Sequence, residues 1–363
     1  MFFRRKTPTA IASAESHYVI EKSYTSLAKK GYEQNVIVQR CISLIAKSIA
    51  SVPLILYQGA LEIEGEHPLK ILLKAPTPSM NYHEFMETLV SYYLLSGNIY
   101  AAFHKTSSTF SFLRPDTVTF HVDDKDQILS YKSNEKTYPA ENILHIKTFH
   151  PRHPHYGLSP LETATYAIES HNAIAQHNIS LMRNGGRPSG ALLTEHGSLS
   201  TTQREELRRE LNILYTGENN TGRILLLDGG FKWVEMGLSP KDMDFLEAKN
   251  RAATEIAVCF GVSPLLVGIL EHASYSNYKE ARMQFWEDTI LPLLSKIVTS
   301  LNSFLHRFFE DDVHFVYNTD HVLALNNQND ALWRKLNACE FLTDNEKREA
   351  VGYSPIRGDQ ALV

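Results

Sequence analysis

The sequence is poor in cysteine, with three in 363 residues: Cys41, Cys259 and Cys339. They lie far apart and none belongs to a CxxC pair, so the sequence offers neither a disulfide framework nor a thiolate metal site. We interpret them as buried thiols of a protein from a reducing compartment.

Long apolar runs are also absent. No stretch approaches the ~20 apolar residues needed to cross a bilayer. The charged start Met1–Lys6 is followed by polar residues rather than by the apolar core of a signal peptide. The sequence therefore predicts a soluble protein of cytoplasmic origin with no membrane partner.

The chain has no large excess of basic or acidic residues. The formal net charge is −5, with 43% hydrophobic and 21% charged residues, which is ordinary for a folded soluble protein. A protein that grips nucleic acid through many phosphate contacts needs a basic surface, so that class is disfavoured. A protein through which DNA merely passes is not excluded.

Common catalytic motifs are missing as well. The sequence contains no GxxxxGK[ST] phosphate loop, no GxSxG elbow and no HExxH pair. We therefore expect no ATP hydrolysis, no catalytic site, no bound metal and no cofactor. Any process that consumes energy would need a separate motor.

A capped amphipathic helix is the clearest feature of the second half of the chain. Ser239 and Pro240 are typical of a helix start. Apolar residues then recur with helical spacing as far as Phe260, and Gly261 is placed to end the helix.

A much longer helix is predicted after a nearly uncharged loop. It runs from about Tyr278 to about Phe309, with Asn277 as its cap. Pro292 lies inside it and is expected to kink it. The loop between the two helices carries only Glu271 and His272 as ionisable groups between residues 269 and 276.

The first half of the chain reads as an α+β domain. Residues 1–33 have weak periodicity and are predicted to be an arm, disordered in part. A helix at 34–51, a hairpin at 53–63 and two further helices follow. The strand-like segments after them are Asn98–Lys105, Phe110–Leu113, Val118–Val122, Ile128–Tyr131, Lys136–Tyr138 and Ile143–Lys147.

A small α/β insert is predicted between the two helices that begin with Ser-Pro. It comprises a strand at 190–194, a helix at 201–215, and a hairpin of 223–227 with 231–235. A compact insert between two long helices would be held out on a two-helix stalk.

Several short stretches occur in a specific order from about Gln34 to the end. They are His67-Pro68-Leu69, Leu95-Ser96-Gly97-Asn98-Ile99-Tyr100, Leu113-Arg114-Pro115, Ile143-Leu144-His145-Ile146-Lys147, Tyr156-Gly157-Leu158-Ser159-Pro160-Leu161, Asn184-Gly185-Gly186-Arg187-Pro188-Ser189-Gly190, Ser239-Pro240-Lys241-Asp242-Met243-Asp244-Phe245-Leu246-Glu247, Phe260-Gly261-Val262-Ser263-Pro264 and Thr343-Asp344-Asn345-Glu346-Lys347-Arg348. In their order and spacing they resemble the HK97-like family of phage portal proteins, with its prophage and gene-transfer-agent relatives.

The resemblance implies a homo-oligomeric ring, usually a dodecamer, at one vertex of a capsid. The implied parts are a wing at 34–158, stem helices at 159–186 and 239–261, a clip at 187–238, a channel loop region at 262–277, a long kinked helix with a returning wing strand at 278–325, and a helical crown at 326–363. The chain is short for the family at its C-terminus, so the crown has two small helices at most.

The resemblance also implies two functional surfaces. The loop before the long helix would line a channel for double-stranded DNA, without sequence specificity, during packaging and ejection. The clip would bind the terminase large subunit and later head–tail connector or adaptor proteins, with capsid and scaffold proteins as further partners. The clip residues are Glu218, Asn219, Asn220 and Thr221. The channel-loop residues are Ile269, Leu270, Glu271, His272, Ala273, Ser274, Tyr275 and Ser276. Such a protein would belong to the virion, and to the host cytoplasm during assembly.

Two alternatives stay open. In the first, Ile269 and Leu270 simply pack under the long helix. In the second, the chain is a metal-dependent enzyme that uses the His150–His155 loop, with His145 nearby in sequence. An exposed proline-rich loop explains these histidines more simply.

Overall fold

The computed structural model describes residues 23–183, 190–194, 200–215, 231–235, 245–270, 274–309, 312–325, 335–339 and 341–350. Within these ranges the chain forms helices and small antiparallel sheets, which confirms the α+β class. The helices are α1 (Tyr24–Leu27), α2 (Val36–Ala50), α3 (Pro68–Lys74), α4 (Tyr82–Ser96), α5 (Pro160–Thr163), α6 (Thr165–Arg183), α7 (Thr201–Tyr215), α8 (Phe245–Cys259), α9 (Tyr275–Gln284), α10 (Leu291–Leu305) and α11 (Asp344–Ala350). The strands are β1 (Leu54–Gln58), β2 (Leu61–Glu62), β3 (Asn98–His104), β4 (Thr109–Leu113), β5 (Val118–Val122), β6 (Ile128–Ser133), β7 (Lys136–Pro139), β8 (Ile143–Lys147), β9 (Gly190–Thr194), β10 (Phe231–Glu235) and β11 (Val313–Tyr317).

The strands pair as four small antiparallel sheets among the described residues, in the orders β11-β1-β2, β4-β3-β8, β5-β6-β7 and β10-β9. The strand β11 comes back from the far end of the chain to pair with β1, from Leu54 opposite Tyr317 to Gln58 opposite Val313. The first part of the chain and α10–β11 therefore form one unit, which we call the body.

The core of the body is centred on α2. Its residues Val38, Ile42, Ile45 and Ile49 are fully buried on one face of the helix, and α2 packs against α4. Helix α10 adds Leu294 and other aliphatic side chains to the same core. Full burial of one such side chain stabilises the fold by about 1.5–3 kcal/mol, so the body has a sizeable core of its own.

The N-terminal segment differs from the predicted arm. Residues 24–33 are helical, because α1 continues as a π-helix over Ala28–Glu33. Lys30 on this segment forms an ion pair with Glu169 of α6 (2.9 Å), and the Lys30 carbonyl accepts from the Asn172 side chain (2.9 Å). These partners are far away in sequence, so local periodicity could not reveal them. Residues 1–22 lie outside the described residues.

The long helix is interrupted rather than continuous. Its cap is Ser274, whose hydroxyl accepts from the Asn277 N–H (3.2 Å), so the predicted cap at Asn277 is wrong. Between α9 and α10 the chain forms a π-helix over Phe285–Ile290. This wider turn directly precedes Pro292, which lacks the N–H that an α-helix would need there.

The cysteines and the insert differ in part from the predictions. Cys41 is fully buried, and burial raises the pKa of its thiol to about 12, whereas Cys259 and Cys339 are only half-buried.

In the insert, β10 pairs with β9. The predicted partner of β10, residues 223–227, lies outside the described residues.

Candidate functional site

The stalk consists of α6 and α8, which pack side by side in opposite directions. At one end the Cys259 thiol donates to the Pro160 carbonyl (3.2 Å). At the other end the rings of His177 and Phe245 lie 4.8 Å apart. The two contacts fix an antiparallel arrangement, in which the described ends facing the insert are Arg183 and Phe245.

The base of the stalk is tied to the body by a close backbone contact. Gly157 donates its N–H to the buried Asn98 side chain (2.8 Å). A Cβ placed on Gly157 would come within 2.0 Å of the Gly97 carbonyl oxygen, so the two backbone segments can approach this closely only because position 157 has no side chain. The Ser159 hydroxyl, which caps α5, also donates to the Leu94 and Leu95 carbonyls.

The corner after α8 is set by Gly261, which adopts a left-handed conformation (φ 68°). The Val262 N–H donates back to the Ala257 carbonyl (2.9 Å), as in a glycine-ended helix. The Gly261 carbonyl in turn accepts from the Thr289 hydroxyl (2.6 Å). This bond joins the end of the stalk to the π-helical part of the long helix.

The predicted channel loop follows this corner. Leu270 is 66% exposed and Tyr275 is 88% exposed, while Ile269 is half-buried. Ser274 and Ser276 are exposed. Glu271, His272 and Ala273 lie outside the described residues. Leu270 therefore does not pack under the long helix. The alternative in which both Ile269 and Leu270 pack there is wrong for Leu270.

The exposure continues into α9. Every residue from 274 to 280 is exposed, and Ala281 is the first buried position. Phe285, Trp286 and Ile290 then anchor the helix in the body. We call Ser274–Glu280 together with Leu270 the exposed segment. It projects from the body without cover from the described part of the same chain.

The stalk carries exposed apolar side chains on both of its helices. On α6, Tyr166 is 74% and Met182 is 73% exposed; on α8, Leu246 is 73% and Val258 is 64% exposed. These four side chains are exposed although α6 and α8 pack against each other. No described helix is long and apolar enough to cross a membrane.

Comparison with known proteins identifies the family. Residues 36–352 match the family model described as "Phage portal protein". The chain belongs to the phage portal protein family. It is 25% identical over 344 residues to the portal protein of Enterobacteria phage HK97, covering 90% of this chain and 80% of that protein. It is also 40% identical over 348 residues to an uncharacterized protein of Rickettsia bellii, covering 91% and 90% of the two chains.

A solved relative shares the fold closely. The chain is similar to a chain in the neck of an empty GTA particle computed with C6 symmetry, with 35% identity, a TM-score of 0.73, and 92% and 94% of the two chains covered. The neck of the native GTA particle computed with C12 symmetry gives 34% identity and a TM-score of 0.71 at the same coverage. The expected portal fold is thereby confirmed.

Two stretches that carried the family resemblance meet in space. Leu95–Tyr100 and Tyr156–Leu161 are joined at the base of the stalk through the contacts of Asn98, Gly157 and Ser159. The stretches that resemble the portal family therefore include the residues that join the body to the stalk. The clip residues Glu218, Asn219, Asn220 and Thr221 lie outside the described residues, and their role stays a prediction.

The histidines of the metal alternative have separate partners. His145 is held between the Tyr131 hydroxyl (3.0 Å) and Asn98 (3.3 Å), and burial lowers its pKa to about 3. His150 accepts through Nδ1 from the N–H groups of Arg152 and His153. His155 contacts Asp126 (2.8 Å). Among the described residues, no group of three or more His, Cys, Asp or Glu side chains could hold a metal ion, so the enzyme alternative lacks a ligand set there.

Sequence reasoning missed a buried polar contact between the N-terminal segment and the stalk. The Asn35 side chain, 1% exposed, donates to Asn172 (2.9 Å) and lies 3.2 Å from the His171 ring, while its oxygen caps α2. Burial lowers the pKa of His171, with a further contribution from Lys249. Asn35 was predicted to lie within the helix at 34–51, whereas the structure makes it the cap of α2. Nothing local to it indicates a partner on α6.

Proposed function

We propose that copies of this chain assemble into a portal ring, with a dodecamer as the expected number. The observation that carries the proposal is the stalk, whose two helices pack well against each other and yet expose Tyr166, Met182, Leu246 and Val258. Closed cyclic rings use heterologous contacts, in which one face of a subunit meets a different face of the next. Exposed apolar side chains on both helices provide two such faces.

The ring encloses a channel lined by the loop Ile269–Ser276. Leu270 and Tyr275 are exposed in the isolated chain, and the loop carries few ionisable groups. A duplex has one charge per ~1.7 Å of its axis, so a channel that bound phosphates tightly would oppose sliding. A weakly charged lining suits double-stranded DNA that passes in both packaging and ejection.

The ring serves as a docking platform at one vertex of a capsid or capsid-like particle. In the proposal, the clip with Glu218–Thr221 binds the terminase large subunit during packaging and head–tail connector proteins afterwards. Capsid and scaffold proteins contact the ring during assembly in the host cytoplasm. The chain itself is not an enzyme, and a separate motor drives the DNA.

The test is to measure the assembly of the purified full chain by mass photometry and negative-stain imaging. We expect rings with a central hole for the unchanged protein. Introducing a charge into the stalk, by Tyr166→Glu or Val258→Glu, is expected to shift the particles to monomers, because a carboxylate would be buried at the contact without a partner.

The control is Leu129→Glu, which places the same charge at an exposed leucine of the sheet β5-β6-β7 (59% exposed). Its rings are expected to persist. Monomers of unchanged protein at every concentration, or rings that tolerate both stalk charges, would contradict the proposal. Circular dichroism establishes that the variants remain folded.

A further inference from the structure

One edge of the sheet β11-β1-β2 is incomplete. Strand β1 pairs with β11 along its whole length, whereas β2 covers only Tyr57 and Gln58 on the other side. The Ile63 N–H adds one more bond, to the Leu56 carbonyl (3.0 Å). The chain then leaves for α3, so the edge of β1 is open before Leu56.

The register decides which peptide groups face the open edge. The Pro53 carbonyl accepts from the Asn318 N–H (3.0 Å), and the Gly59 N–H donates to Asp312 (3.3 Å). In an antiparallel pair, alternate residues turn both peptide groups to the same side, so Leu54 turns its N–H and C=O away from β11. Within the described residues, these two groups have no hydrogen-bond partner.

A groove of about 350 Å³ lies beside this edge, between β1 and α3. Its apolar lining includes Leu54, Leu56, Leu73 and Phe315. Leu54, Leu56 and Phe315 belong to the paired strands β1 and β11, and Leu73 belongs to α3. An extended segment that bound along β1 would therefore contact an apolar surface. A strand edge and an adjacent apolar groove are the two elements that domains binding peptides by strand addition combine.

Charged side chains form the rim of the groove. Lys70, Lys74 and Glu62 line it. The Lys70 ammonium donates to the Ile63 carbonyl. Lys74 is exposed and forms no ion pair within the described ranges. Because the Lys70 ammonium is already bonded within the chain, Lys74 is the rim cation placed to meet a carboxylate of an occupant, and such complementary charge orients a partner.

We propose that this groove binds an extended, acidic segment of a separate protein, which adds as a strand beside Leu54. The segment's main chain bonds the Leu54 N–H and C=O. Alternate apolar side chains fill the groove next to Leu73 and Phe315. A carboxylate of the segment faces Lys74. This binding site is separate from the stalk contacts and does not depend on the ring.

The test is a selection of short random peptides displayed on a surface against the purified full chain. Enriched peptides are synthesised with a fluorescent label, and their Kd is measured by anisotropy. We expect peptides with alternating apolar residues and at least one Asp or Glu. Hydrogen exchange at the Leu54 amide is expected to slow when such a peptide binds.

Matched charge reversals locate the site. Lys74→Glu is expected to weaken binding about fivefold or more, since a favourable contact becomes a repulsive one. Lys132→Glu changes an exposed lysine of β6 in a different sheet and is expected to leave the Kd unchanged. Both substitutions are at exposed positions, so the fold is expected to tolerate them.

Several outcomes would overturn the proposal. One is that no peptide is enriched, and another is that enriched peptides bind both variants equally. A Leu54 amide that loses protection when residues 351–363 are deleted would show that the chain fills its own groove. Protection that appears only with ring assembly would show that a second copy does so.

Discussion

The body and the stalk use the same kind of amphipathic helix in opposite ways. In the body, Ile45 and Leu294 are fully buried, and the helices enclose a continuous core. In the stalk, Tyr166 and Val258 remain more than half exposed although the two helices pack against each other. The body therefore buries its core within one chain, whereas the stalk leaves large apolar side chains exposed.

The long helix shows the same contrast along its own length. From Ser274 to Glu280 it is exposed, and from Phe285 onward it supplies core residues such as Trp286 and Leu294. The π-helix over Phe285–Ile290 marks the change. A break in the regular hydrogen-bond pattern therefore lies where the helix leaves the core.

The largest expected effect comes from the same substitution made in each region. Leu294→Ala leaves a cavity in the body and is expected to lower the free energy of unfolding by about 3–4 kcal/mol. Leu246→Ala, in the stalk at a 73% exposed position, is expected to change it by less than about 0.5 kcal/mol. Urea unfolding of monomeric protein measures both. Equal losses would erase the distinction between body and stalk.

The joint between the two regions is the next target. Gly157→Ala would place a Cβ within 2.0 Å of the Gly97 carbonyl, and the resulting backbone shift is expected to lower the free energy of unfolding by about 2–3 kcal/mol. Gly65→Ala is the control, because no atom lies within 4 Å of its added Cβ. Thermal unfolding compares the pair, and a tolerated alanine at 157 would show that the joint is not tightly packed.

The buried His145 is expected to make the stability of the body depend on pH. Burial lowers the pKa of His145 in the body to about 3, so the folded state stays neutral while the unfolded chain binds a proton near its usual value of about 6.5. Stability is therefore fully present above about pH 6.5 and falls as the pH drops, by about 2 kcal/mol between pH 6.5 and 5. Urea midpoints across this range check it. His145→Gln is expected to flatten the slope, and an unchanged slope would contradict the assignment.

The smallest expected effect is at the corner after the stalk. Thr289→Val removes the hydroxyl that donates to the Gly261 carbonyl (2.6 Å) and is expected to lower the free energy of local unfolding by about 1 kcal/mol. Amide hydrogen exchange around Gly261 and Val262 measures this change. Thr289→Ser keeps the donor and is expected to behave like the unchanged protein. Equal loss of protection in both variants would show that the hydroxyl of residue 289 is not what holds this corner.

The elements with local signals could be predicted from the sequence. Asn81 and Glu84 form the reciprocal cap of α4 that their spacing indicates, and Ser200 with Gln203 does the same for α7. In Ser274-Tyr275-Ser276-Asn277, several neighbouring residues can cap a helix, so spacing did not decide between them. The structure selects Ser274.

The features that depend on distant partners could not be predicted. Strand β10 pairs with β9, which lies before α7 in the sequence. The helical segment 24–33 is held by contacts to α6. In the candidate site, the weak charge of the loop could be read directly, but the exposure of Leu270 could not, because it depends on how Phe285 and Trp286 anchor the helix behind it.

The most direct measurement is a cryo-electron microscopy reconstruction of the purified, assembled protein. We expect a ring in which Tyr166 and Val258 of the stalk are covered by neighbouring copies. We also expect Leu270 and Tyr275 of the exposed segment to face a central hole. A particle in which the stalk remains solvent-exposed, or in which the exposed segment points outward, would contradict the proposed portal ring.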